Sequence, residues 1–241
     1  MRAETRHQLK QDRFSRVTID AAEKTVHWSA EHQTRLLVAA AIVLALAAIV
    51  SGGWYYLGQQ DQKASVDFSR AIRTLDTPVR PPNMPPQPDN PSFASSKERA
   101  ATAQKQFQEI VGKYPHTHAA DFAHYFLGLT SADLGDNAGA ERELQKVASY
   151  HNADLSALAK FALASVYRNT NRDKQAVDVY KQLIAKPTAT VNKVAAQMEL
   201  AATYQAANQP LEAKRIYEQI QKENPASEAG QMASAKLQAL K

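Results

Sequence analysis

Two patterns of apolar spacing divide the chain. From Leu36 to Val50 every position is apolar (LLVAAAIVLALAAIV), and no charge occurs between Arg35 and Asp61. Beyond residue 97 apolar positions recur four and then three residues apart, with polar residues between them. The second pattern is the stripe of a helix packed on one side. The first has no polar side and calls for an apolar medium all round. Residues 36–57, taken as a helix rising about 1.5 Å per residue, extend roughly 33 Å, against a hydrocarbon core of about 30 Å. Lipid cannot hydrogen-bond the backbone, so a lone spanning segment must be helical. Trp54, Tyr55 and Tyr56 follow at the far end, where amphipathic rings favour the membrane interface. The pattern predicts a transmembrane helix over 36–57 behind a short N-terminal tail, 1–35. A cleaved leader fits poorly, because the 35 residues ahead carry five acids and no A-x-A site follows the run.

Residues 58–96 read as a juxtamembrane helix and then a proline-rich linker or loop. Val66, Phe68, Ala71, Ile72 and Leu75 approximate one apolar face over 59–76. Seven prolines between Pro78 and Pro91 exclude both helix and central strand and favour extended chain. Such a segment serves as a spacer, as an enlarged loop or as a ligand for a proline-binding groove.

The remaining stretch, 97–241, repeats. A small residue precedes a large one by four positions in Ala103/Phe107, Ala140/Leu144, Ala176/Tyr180 and Ala213/Tyr217, at steps of 37, 36 and 37 residues. Ile110, Val147, Leu183 and Ile220 follow three positions later. Upstream of the last three pairs lie Leu127-Gly128, Leu163-Ala164 and Leu200-Ala201, with Tyr167 and Tyr204 in step and Ser131 departing. Turn residues Gly135, Asn171 and Asn208 come next, and Pro115, Pro187 and Pro225 close units. The small residues let two antiparallel helices approach, and the large ones fill space toward the next pair. One hairpin cannot bury its own apolar face, so the units must stack.

These registers resemble tetratricopeptide (TPR) repeats. The resemblance implies an all-α chain, in which an N-terminal transmembrane helix precedes a TPR-like α-solenoid of about three to four helix-turn-helix repeats. Full repeats fall at 119–152, 153–187 and 190–225. A half-unit, 97–115, precedes them, and its first helix would lie in 61–75. A capping helix, 226–241, ends the stack. A short tail, one span ending in Gly-Gly-Trp-Tyr-Tyr and a TPR domain are together similar to the YfgM-type ancillary subunit family of the Sec translocon. That likeness implies an inner-membrane protein with periplasmic repeats, partnered by the SecYEG translocon and periplasmic chaperones.

Charge and composition narrow the chemistry. The net charge of +5 is spread thinly, with 7 basic and 5 acidic residues in 1–35 and 22 and 19 in the rest, so no nucleic-acid-binding arm exists. Cysteine is absent, which excludes thiol chemistry and Cys-ligated metals. No catalytic motif appears, and neither enzymatic activity nor a cofactor is expected. His116, His118 and His124 cluster in sequence, yet fit turn and helix positions better than a metal site. The TPR register implies a protein-binding groove lined by the first helices: Phe122, Tyr125 and Leu129; Phe161, Ser165, Arg168 and Asn169; Met198, Ala202 and Gln205. The resemblance to TPR clamps for terminal carboxylates fails there, because the sites that match the clamps' Lys and Asn carry Tyr125, Leu129, Phe161 and Ser165. Lys and Arg flank the span evenly, three within 20 residues on each side, and the seven in 1–35 lean toward an inside N-terminus. The alternatives are a cytoplasm-facing adaptor and a cell-envelope assembly or division coordinator.

Overall fold

The computed structural model describes residues 32–82, 84–85 and 91–240. Most of the expected tail and the centre of the proline-rich segment lie outside the described residues. Among those described, the elements are nine helices and no strand: α1 (Gln33–Asp76), α2 (Ser96–Lys113), α3 (His118–Asp133), α4 (Asn137–Ala148), α5 (Ala153–Asn169), α6 (Asp173–Ala185), α7 (Lys193–Ala206), α8 (Pro210–Glu223) and α9 (Glu228–Ala239). The chain forms two units, divided after Gly58.

The first unit holds the apolar run. Its most apolar window has a mean hydropathy of 2.6 and none of it is buried. It lies in a helix long and apolar enough to cross a membrane. The helical assignment passes through Gly52, Gly53 and Gly58 without a break, where the sequence suggested a separate juxtamembrane helix. A helical glycine costs only about 1 kcal/mol against alanine and does not by itself end a helix. The ladder stops at Asp76, where Thr77-Pro78 forbids continuation.

In the second unit, helices from α2 onward pack each against the next, and α3 also touches α5 as α7 touches α9. The repeating small and large positions form the interior. Ala103, Ala140, Ala176 and Ala213 are wholly buried, as are Phe107, Leu144 and Tyr180, while Tyr217 retains 1% exposure. Phe68, on the α1 segment of this unit, packs its ring 5.8 Å from that of Phe107 on α2. Ala64 and Ala71 are buried in the same cluster, so this segment stands beside α2 as the first helix of a hairpin. The next hairpins are α3/α4, α5/α6 and α7/α8, and α9 covers the apolar faces of Ala201, Ala213 and Tyr217.

Each element stops for a local reason. Ser95, Thr117, Asp136, Asn152, Asn192 and Ser227 accept a backbone N–H three residues on, capping their helices. The turns inside three hairpins need a left-handed residue at one register position. Gly135 has φ 86°, Asn171 φ 57° and Asn208 φ 55°, and Gly and Asn tolerate that region best. α2, α6 and α8 end two residues before Pro115, Pro187 and Pro225. The loop between α1 and α2 is pinned at its mouth. Arg80 N donates to Phe93 O (2.9 Å) and Phe93 N to Pro78 O (3.0 Å), while Arg99 Nη1 reaches Thr77 O (3.2 Å).

A polar lock joins α4 to the α5–α6 turn. Arg172 meets Glu141 through two N–H···O contacts of 2.8 and 3.1 Å, and its guanidinium lies 4.5 Å above the Tyr167 ring. The Arg172 hydrogen bond holds the Glu141 carboxyl below its usual value. A depressed carboxyl stabilises the fold fully above the unfolded value, here 4.5, and less as pH falls through the folded one. Both side chains are partly exposed, so solvent screens the pair and its contribution is small.

Two predictions follow from this packing. A Cβ at Gly128 would lie 2.5 Å from Leu144 Cγ, whereas one at Gly112 meets nothing within 4 Å. Gly128→Ala therefore destabilises the fold by about 1 kcal/mol net of its helix gain and lowers the thermal midpoint, and Gly112→Ala stabilises it by up to about 1 kcal/mol and raises the midpoint. Thermal unfolding by circular dichroism reads both signs. In the same assay Glu141→Gln unfolds earlier than the parent chain at pH 7, and the gap closes as pH drops below 4.5.

Candidate protein-binding surface

The residues expected to line a groove sit on α3, α5 and α7, the first helices of successive hairpins. Phe122 is 38% exposed, near the start of α3, with its ring 6.2 Å from Phe68. Tyr125 is half-buried, meets Phe126 edge-on at 5.3 Å and packs against the core shared with α5; that burial raises its hydroxyl pKa. Leu129 is half-buried one turn on.

On α5, Phe161 lies edge-on to Tyr180 of α6 at 5.6 Å, and Ser165 Oγ is 3.2 Å from the Tyr180 hydroxyl. Burial raises the Tyr180 pKa, with the Ser165 bond opposing it. Arg168 Nη1 donates to Glu199 Oε2 at 2.7 Å, bridging α5 to α7. Asn169 is exposed at the end of α5. On α7, Met198 packs half-buried on the last core cluster, Ala202 is half-buried and Gln205 is exposed.

These helices thus present aromatic, sulfur and amide groups side by side, with one ion pair across the repeat boundary. Groups of this kind are suited to apolar contact and a few directed hydrogen bonds with a polypeptide, and no nucleophile is paired with a base among the residues named. Trp54, Tyr55 and Tyr56 belong to the first unit and are 83%, 73% and 63% exposed.

His124 has a structural role. It is buried between the helices of its hairpin, with Nδ1 2.7 Å from Glu143 Oε2 and Nε2 2.8 Å from Lys146 Nζ. An ammonium can only donate, so Nε2 faces it as acceptor and Nδ1 faces the carboxylate as donor. His116 and His118 are exposed, and no metal-binding group of three His, Asp or Glu occurs among the described residues.

Sequence reasoning missed Glu199 as the partner of Arg168, and it missed two clefts at one edge of the stack. One, of about 380 Å³, lies between His118, Phe122, Tyr150 and His151. The other, of about 480 Å³, lies between Tyr150, His151, Lys160 and Lys186. Aligning the hairpins position by position would have marked Lys160, which occupies the register place of His124.

Two family models match the chain. One, described as a tetratricopeptide repeat-like domain, covers residues 26–179, and the other, a tetratricopeptide repeat, covers 195–227. Among solved structures, the nearly identical TPR-like repeats of a Podosopora anserina chain assigned as a kinesin light chain superpose with a TM-score of 0.57 at 16% identity, over 75% of this chain and 86% of that one. A point-substituted form of the same repeats gives 0.56 at 17% identity, over 75% and 85%. No curated protein matches. At such identity the structures establish the fold alone, and TPR repeats are typically non-catalytic scaffolds that bind other proteins. With more than half of its length inside the first family model, the chain belongs to the tetratricopeptide repeat-like domain family.

Proposed function

We propose that the protein is a single-pass membrane scaffold that holds partner polypeptides against its TPR stack. The carrying observation is the wholly unburied apolar window of α1, which needs lipid if it is to leave water. The family match runs over residues 26–179, so the apolar run and the first repeats fall within one family model. The Trp54-Tyr55-Tyr56 group marks one membrane interface. The exposed and half-buried groups on α3, α5 and α7 supply the binding surface. The repeats face the periplasm beside the Sec translocon and its chaperones; the likeness to the YfgM-type family supports this placement, as does the lean of basic residues to the N-terminal side.

The absence of cysteine makes topology directly measurable. Ala235→Cys on exposed α9 gives a single thiol. A membrane-impermeant maleimide should label it in intact spheroplasts. Labelling only after lysis would place the repeats in the cytoplasm and make the protein an adaptor there. Cross-linking in intact membranes, read by mass spectrometry, should recover translocon subunits or periplasmic chaperones. Recovery of division or outer-membrane assembly proteins instead would move the scaffold to that machinery.

A further inference from the structure

We propose that the edge cleft between α5 and α6 binds a partner segment in which a carboxylate side chain neighbours an apolar one. This site lies apart from the surface of Phe161, Arg168 and Met198, and the inference stands whichever side of the membrane the repeats occupy.

The argument compares two hairpins 36 residues apart. In α3/α4 the central polar position is satisfied from within: His124 is bonded to Glu143 and to Lys146. In α5/α6 the place of His124 is taken by Lys160, that of Glu143 by Val179, that of Lys146 by Gln182 and that of Asp121 by Ala157. The position of Tyr150 becomes Lys186. Both acids and the Lys146 cation are lost while Lys160 and Lys186 bring positive charge, and a cleft of about 480 Å³ lies beside Lys160, Gln182 and Lys186.

Its lining combines two kinds of group. Ala153, Ala157 and Leu183 are apolar; Lys160, Lys186 and His151 are basic or can become so, and no acidic residue takes part. Among the described residues no acidic side chain forms an ion pair with Lys160 or Lys186. Lys160 is partly withdrawn from water without the anion its counterpart position enjoys, so an incoming carboxylate supplies the missing charge-assisted bond. A free anion would leave the apolar lining unused. A peptide carrying an acid beside Leu, Ile or Phe uses both, and Gln182 offers its amide to the peptide backbone.

The test is selection from a random-peptide display library on the full chain in nanodiscs, followed by affinity measurement of the enriched peptides. Enriched sequences should pair Asp or Glu with an adjacent large apolar residue and should weaken with added salt. Lys160→Met and Lys160→Glu should each weaken binding by about tenfold or more while keeping the parent's helical circular dichroism. Arg168→Gln, on the first-helix surface, should bind these peptides as the parent does. Enrichment without acids, no enrichment, or affinities indifferent to position 160 would overturn the inference. Binding lost only in Arg168→Gln would overturn it too, while leaving the first-helix surface as the docking site.

Discussion

Everything beyond Gly58 depends on one contact: a small residue on one helix of a hairpin set against a large residue on the other. Gly128 stands so close to Leu144 that no Cβ fits between them. Ala164 and Ala201, wholly buried, hold the same register place in the later hairpins. Close approach brings the two backbones together, but it leaves each hairpin with an apolar face uncovered. The only covering of the right shape is another hairpin. Stacking is therefore compelled by packing density more than by any single strong bond. Because helix contacts run between adjacent and next-but-one helices, no single central core organises the surface. The surface is set hairpin by hairpin, which is why adjacent units can carry such different chemistry.

That independence explains how far the sequence could be read. The core was legible because it repeats: Ala140/Leu144 and Ala213/Tyr217 declare the same geometry twice. The turns were legible because Gly135, Asn171 and Asn208 answer one backbone demand, a positive φ, that few other residues meet cheaply. Tyr204, in step with Tyr167, is only half-buried, packed against two core clusters. What spacing could not disclose were pairings between units. Arg168 is legible from the register only as a groove residue, yet Glu199, 31 residues on, takes it. That partnership depends on how one hairpin rotates against the next, a quantity with no periodic signature. The pairing of Pro78, Arg80 and Phe93 across the proline-rich loop was equally silent, since it joins residues that belong to no repeat.

The helix limits show a further boundary of pattern reading. The sequence suggested a stop between the apolar run and the amphipathic stretch after it, because the character of the side chains changes there. Backbone hydrogen bonding ignores that change. It responds to proline, and none occurs before Pro78. A change of environment along a helix is thus a change of solvent, and the ladder of hydrogen bonds passes through it.

The hydrogen-bonded mouth of the loop between α1 and α2 has a consequence for how this hairpin tolerates variation. Because Pro78, Arg80 and Phe93 clasp one another and Arg99 grips Thr77, the separation of the two helix ends is decided at the clasp. Chain beyond it is a closed excursion whose entropy grows only slowly with length, about 0.6 kcal/mol for each doubling. Extra residues grafted into that excursion would leave the register of Phe68 on Phe107 untouched. The clasp makes the segment a natural port for inserted sequence.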